Sequence, residues 1–449
     1  NTAYESDVTL NANGAASGAG LVDISGGSGV KTITDLVAET VSLTLTDSQG
    51  TGLAVTHSAS VTFNAGGASK FLLSGPDSST AGTAISITVR ATDSGGNTVV
   101  TFTSDVTLAA NGSATGAGLV DIISGVGSLS INDTTAETVA LSLTDSQGTG
   151  LAVTHTKSIT FNAGSATKFM VYNPASSTVN TAVSVTVKAV DANNNKVTSY
   201  TSDVTLAASG SATGAGLVDI VAGEGTKSIN DLVAQNVSLS LTDTQGTGLA
   251  VTHTSSVTFN PGTAVVFLIS SPTSSTAGTA VSVTVKAVDA YVNTVTSYGN
   301  DVTLAASGSA TGAGLVDIVS GVGSRSINDT VAQTTNLTLT DSQGTGLAVT
   351  HTGSITFSAG AASKHNVSGP SSATVFICTV FTNATTDAYG NSSAVGSTTG
   401  VTLNSSGNGT FFLDSWCRTS TASVTVNSGQ TSATLFYRQN NVTTASMTA

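Results

Sequence analysis

Charge is scarce in this chain. Its 449 residues include 13 Lys plus Arg and 26 Asp plus Glu, so 9% are charged and the net charge is -13; soluble domains ordinarily carry about a quarter charged residues. The basic footprint that nucleic acid requires is missing, which excludes that partner. No run of about 18 apolar residues occurs, so no helix is expected to span a bilayer. The opening NTAYESDVTL has neither the basic start nor the apolar block of a secretion signal. The expectation is a processed chain or a window from a longer one. Cysteine is limited to Cys378 and Cys417, both near the end. What is left is a surface of Ser, Thr, Asn and Gly around regularly alternating hydrophobic residues, which make up 39% of the chain. That alternation rules against disorder.

The abundant feature is repetition. SKFLLSGPDSSTAGTAISITVRATDSGGNTVV, from Ser69, returns as TKFMVYNPASSTVNTAVSVTVKAVDANNNKVT from Thr167 and as VVFLISSPTSSTAGTAVSVTVKAVDAYVNTVT from Val265. Aspartates 7, 105, 203 and 301, and histidines 57, 155, 253 and 351, recur every 98 residues. Self-similarity at a fixed period defines the folding unit. The expected domains are a partial one at residues 1–68 lacking its first strands, complete ones at 69–166, 167–264 and 265–362, and a shortened, divergent one at 363–449. A unit of this length buries a sandwich core without a cofactor.

Alternation predicts strands at Lys70–Ser74, Ala84–Thr92, Thr98–Thr103 continuing into Asp105–Leu108, Gly118–Ile122, Thr138–Asp145 and Leu151–Phe161. About seven short strands, glycine-rich turns and no helical stripe describe an all-β Greek-key sandwich. The joins are short: Phe161-Asn-Ala-Gly-Ser-Ala-Thr-Lys-Phe169 leads from one unit into the next without a long flexible linker. At roughly 35–45 Å per domain the chain would form a rod about 150–200 Å long. The fragment at residues 1–68 would expose strand edges and an apolar face, to be completed by upstream sequence or by a strand from a neighbouring chain.

Few residues invite chemistry. The repeated histidines are separated by whole domains and share no site. No G-x-S-x-G elbow, cleft-forming carboxylate pair or phosphate-binding glycine loop accompanies them, and the chain is expected not to be an enzyme. The loops Asp93-Ser-Gly-Gly-Asn97, Asp191-Ala-Asn-Asn-Asn195, Asp289-Ala-Tyr-Val-Asn293 and Asp387-Ala-Tyr-Gly-Asn391 read as turns whose Asp and Asn bond their own backbone. Calcium needs six to eight oxygens. Asp121, Asp133 and Asp145 are its weak candidates, with turn stabilisation the preferred role, and no other metal or cofactor is expected. Asn111, Asn132, Asn236, Asn328, Asn336, Asn366, Asn383, Asn391, Asn404, Asn408 and Asn441 satisfy the N-x-S/T rule for glycan attachment, although chance supplies many such matches in this composition. Cys378 and Cys417 are spaced to join two strands of one sandwich in an oxidising compartment, the alternative being two buried thiols.

The pattern KFxxxxPxSSTAGTAVSVTVKAVDAxxNxVTSYxSDVTL resembles the bacterial immunoglobulin-like repeats of large exported adhesins and of surface-layer or filament proteins. The likeness extends over essentially the whole chain and implies tandem immunoglobulin-like β-sandwich domains in an elongated rod, secreted or at the cell surface. LVDIISGVGSLSI, from Leu119 to Ile131, does not map onto that pattern and reads as an extra hairpin or a surface by which rods touch. Two functions follow as expectations. One is a structural subunit of an extracellular filament, sheath or surface array, partnered by further copies of itself through strand donation. The other is the stalk of an adhesin that holds a distal domain toward a host or surface receptor. The strand-like tail Val442, Thr443, Thr444, Ala445, Ser446, Met447, Thr448 and Ala449 is the expected assembly segment.

Overall fold

The computed structural model describes residues 1–449, and all its regular elements are strands. In the second copy these are β1 (Lys70–Ser74), β2 (Ser78–Thr80), β3 (Ile85–Thr92), β4 (Val106–Ala110), β5 (Gly118–Val120), β6 (Val126–Ile131), β7 (Thr138–Thr144) and β8 (Lys157–Asn162). They form a three-stranded sheet, β6-β3-β1, and a five-stranded sheet, β2-β8-β7-β4-β5, in which short β2 runs parallel to β8. The third and fourth copies repeat both orders. The chain is thus all-β, built of repeated two-sheet modules that do not close into barrels.

Period-two alternation places the core between the sheets. On β7, Val139, Leu141 and Leu143 face inward between exposed Thr138, Ala140, Ser142 and Thr144. They meet Phe71, Ile87 and Val89 of the smaller sheet and Leu108, Ile159 and Phe161 of the larger. Burial of each large side chain contributes about 1.5–3 kcal/mol. Phe71 packs edge-on against Phe102 with centroids 5.6 Å apart, and Phe169–Tyr200 and Phe267–Tyr298 repeat the contact.

Four readings of the sequence need correction. Thr98–Thr103 is no strand: Thr98 makes one bridge to Thr92, and the segment turns across to the other sheet, where the ladder starts at Val106. Leu151–Phe161 is no single strand either. Ala152 bridges in parallel to Lys70, so this half crosses to the three-stranded sheet before β8 begins at Lys157. The three-residue β2 was missed because it has no apolar alternation to betray it. Lastly, Leu119–Ile131 does hold a two-residue hairpin turn, Ile123 and Val126 exchanging backbone hydrogen bonds, but it is neither an addition to the sandwich nor wholly surface. Ser124 and Gly125 take φ of 51° and 76°, a primed turn suited to right-twisted strands, and the chain then forms β6 along β3 with Ile122 and Ile131 in the core.

The terminal copies differ. Residues 1–68 form one four-stranded sheet, in the order Gly20–Val22, Val8–Ala12, Thr40–Thr46, Ser58–Thr62. Val61 on it is 36% exposed, whereas its equivalents Ile159, Val257 and Ile355 are fully buried. In the last copy a five-stranded sheet runs Lys364–Ser368, Thr379–Thr386, Ser432–Arg438, Thr410–Phe412, Ser420–Thr421. Thr399–Thr402 pairs separately with Ser423–Val426.

Ile131→Ala tests the place of β6. It should destabilise the second copy by about 2–5 kcal/mol, visible in calorimetry of the whole chain as an early partial transition. A loss below about 0.5 kcal/mol, the level of a surface change, would remove β6 from the core.

Candidate functional site at the joints between copies

At each joint the Asp-x-x-x-Asn loop that follows the second long strand of one copy reaches back to the copy before it. Asp191 is 2% exposed. Its Oδ2 accepts the Gly164 N–H from the connecting segment at 2.9 Å, and its Oδ1 accepts the loop's own Asn193 and Asn195 N–H groups, both at 2.9 Å. The Asn195 side chain then grips the backbone of the preceding copy in both directions. Its Nδ2 donates to the Thr134 carbonyl at 2.8 Å, and its Oδ1 accepts the Ala136 N–H at 2.8 Å.

The clamp recurs at all four joints. Asn97 holds Leu36 and Ala38, Asn293 holds Leu232 and Ala234, and Asn391 holds Thr330 and Ala332, at 2.8–3.0 Å. The gripped loop is itself shaped by a buried aspartate: Asp133, Asp231 and Asp329 each accept a backbone N–H two residues on. Further contacts individualise the joints. Asn193 Nδ2 donates to the Ala81 carbonyl at 3.1 Å, and at the last joint the Tyr389 ring packs over Gly278, whose φ of 83° favours glycine.

These hydrogen bonds set the acidity of the loop. Asp93 is lowered from 3.8 to about 2 by the Asn97 amide, the Gly66 N–H and the Asn97 N–H. At Asp387 burial works in the opposite direction, but the Asn391 amide and the Gly360 N–H outweigh it and bring the value to about 2. Asp191 and Asp289 are also lowered, their hydrogen bonds again overcoming burial. A depressed carboxylate stabilises the fold fully above its unfolded value and loses that contribution as pH falls through the folded value.

The asparagines of these loops are the functional residues the sequence reading missed, since it saw turns only. Their signal was present: Asn stays at the fifth position in all four loops while the middle varies from Ser-Gly-Gly to Ala-Tyr-Val. The calcium candidates are not brought together. Asp121 is exposed, Asp133 is buried beneath Ser113, and Asp145 caps its own turn through the Thr149 and Gly150 N–H groups; no three His, Cys, Asp or Glu side chains converge. The histidines tie strands together, with His155, His253 and His351 Nδ1 accepting the N–H of Leu73, Val171 and Ile269.

Among the sequons, Asn383 is fully buried and the Asn391 amide is committed to the last joint, so both are withdrawn as glycan acceptors in the folded chain. Asn132 and Asn328 are half-buried, while Asn111, Asn236, Asn336, Asn366, Asn404, Asn408 and Asn441 are exposed. Cys378 and Cys417 are bonded with Cα atoms 5.8 Å apart. The bond links the residue before Thr379–Thr386 to the turn between Thr410–Phe412 and Ser420–Thr421, not two strands as the spacing suggested. The tail lies on its own copy, Met447–Thr448 pairing with Asn404–Ser405.

Asn195→Ala removes both bonds of one clamp, each worth about 0.5–1.5 kcal/mol net. Spin labels in the second and third copies should show a broadened distance distribution, with the melting of each copy little changed; an unaltered distribution would deny the clamp its role. Acid should act alike at the Asp93 and Asp387 joints. Interdomain distances there should stay narrow above the ordinary value of 3.8 and broaden as pH approaches about 2, and distances indifferent to that descent would contradict the assigned hydrogen bonds.

No family model matches the chain, and no curated protein matches it. Structural matches exist. The Escherichia coli adhesin FdeC aligns over 65% of this chain and 99% of its own at 16% identity and a TM-score of 0.32. Domains 4–9 of the surface layer protein SbsC align over 96% and 69% at 16% and 0.22. A β-glycosidase from Bacteroides vulgatus aligns over 42% and 25% at 11% and 0.22. Likeness at this level reaches proteins of unlike function and assigns none of them to this chain.

Proposed function

We propose that the protein is a structural, non-catalytic subunit of an extracellular filament, sheath or surface array. It would be a rod of immunoglobulin-like β-sandwich modules divided at residues 68, 166, 264 and 362. The observation that carries this reading is the clamp repeated at four successive joints: a connection of five to seven residues pinned by a buried aspartate, with an asparagine holding the neighbouring copy's backbone. Such joints resist bending, and equivalent surfaces recur once per copy, which suits lateral packing with further copies of the same chain. The Cys378–Cys417 bond fits an oxidising, extracellular location. The tail Val442–Ala449 belongs to the proposal as a donated strand, which would first have to release its two-residue ladder with Asn404–Ser405.

The second reading, an adhesin stalk, draws on the same joints, because covalent head-to-tail copies extend reach without any partner. Electron microscopy of the purified chain, with and without residues 442–449, separates the two. Ordered fibres or arrays that disappear on deletion support the first reading with strand donation, and fibres that persist support it without donation. Isolated straight rods at every concentration support the stalk, and flexible beads would sink both.

A further inference from the structure

Position 137 carries Glu, whereas the equivalent positions in the next two copies carry Gln235 and Gln333. In the third copy three contacts form a triangle. Gln235 Nε2 donates to Ser211 Oγ at 2.8 Å and to Asp231 Oδ2 at 2.7 Å, and Ser211 Oγ donates to Asp231 Oδ1 at 2.7 Å. An amide and a hydroxyl supply three hydrogens, one for each contact. The fourth copy repeats the triangle with Ser309, Asp329 and Gln333.

In the second copy the corners are Ser113, Asp133 and Glu137. Ser113 Oγ lies 2.8 Å from Asp133 Oδ1 and 2.7 Å from Glu137 Oε1, and the Glu137 side chain meets the Asp133 carboxyl. With both carboxylates ionised, the Ser113 hydroxyl hydrogen alone would have to serve three contacts. Asp133 is 1% exposed, and its Oδ2, the oxygen reached by Gln Nε2 in the later copies, has no hydrogen-bond partner. No Lys, Arg or His forms an ion pair with either carboxylate. Across the joint the ionisable group facing this loop is another carboxylate, Asp191, tied to Asn195.

We propose that Asp133 and Glu137 share a proton, so that the joint between the second and third copies tightens in acid and loosens toward neutral pH, while the two Gln-bearing joints do not respond. Contact between like charges disfavours ionisation of both. The unpartnered Asp133 Oδ2, the oxygen that an amide hydrogen reaches in the later copies, is the place left for that hydrogen, and its loss is a step of the pair. The unfolded chain gives up this proton near the ordinary carboxylate value. A proton held between the two carboxyls in the folded chain makes the pair's contribution complete in acid and lost as that proton leaves with rising pH. The joint feels the change because Thr134 O and Ala136 N–H, the two groups Asn195 grips, lie between Asp133 and Glu137. The first copy has Asp35 and Glu39 at these positions, and Asp35 Oδ2 is likewise buried without a partner, but Ala15 replaces the serine.

Amide hydrogen exchange on the full chain, corrected for the intrinsic pH dependence, tests this with internal controls. Protection of the Ala136 N–H should fall about tenfold relative to Ala234 and Ala332 between about pH 4.5 and 7.5, a change of about 1.4 kcal/mol in local opening. Glu137→Gln, the residue the later copies already use, should abolish the fall. Equal protection at all three alanines throughout, or a fall that survives Glu137→Gln, would overturn the proposal. So would recovery of Ala136 protection at neutral pH on adding about 2 mM calcium, a concentration at which extracellular modules bind it, because the pair would then be a cation site.

Discussion

A carboxylate withdrawn from water must be given hydrogens by its surroundings, and Asp93, Asp191, Asp289 and Asp387 receive theirs from two bodies at once. One oxygen takes N–H groups of its own loop and the other takes the N–H of the segment arriving from the preceding copy. The loop can keep its shape only while the connecting segment is in place. That mutual dependence turns a short linker into a joint, and it presents the asparagine four residues on at a fixed angle to the neighbouring backbone.

The cores answer to a different force and do not depend on the joints. Each complete copy has its own cluster of inward-facing residues, centred on Phe71, Phe169 or Phe267, within one 98-residue period. Burial holds each module, and a few directional hydrogen bonds orient each pair. Area burial is non-directional, so a hydrophobic joint of similar strength would leave the angle between copies loosely defined. Polar clamps define it, in keeping with a chain that has little charge but much amide and hydroxyl.

Near-identical copies also make small departures informative. Glu137 in place of Gln235 and Gln333 changes one atom's capacity to donate, and the surrounding serine and aspartate have not changed to compensate. Tyr389 opposite Gly278 is another departure, and it works by close fit. Joints alike in backbone geometry therefore differ in chemistry, and a rod made of them need not respond uniformly along its length.

The sequence by itself determined the period, the all-β class and the strands whose one face is apolar: Lys70–Ser74, the β3 segment and Thr138–Thr144 fall where alternation puts them, because side-chain direction along a strand is local and repeats every two residues. It did not determine which sheet a segment joins. Ala152 crossing to Lys70, Thr98–Thr103 turning instead of pairing, and Leu119–Ile131 supplying β6 all follow from partners distant in sequence, on which a local pattern carries no information. The joints divide in the same way. Asp and Asn four residues apart were legible as a turn, since the Asp-to-backbone bonds are made within the loop. That the asparagine's own amide serves the preceding copy, 59 and 61 residues back along the chain, was decided only by how two folded modules meet.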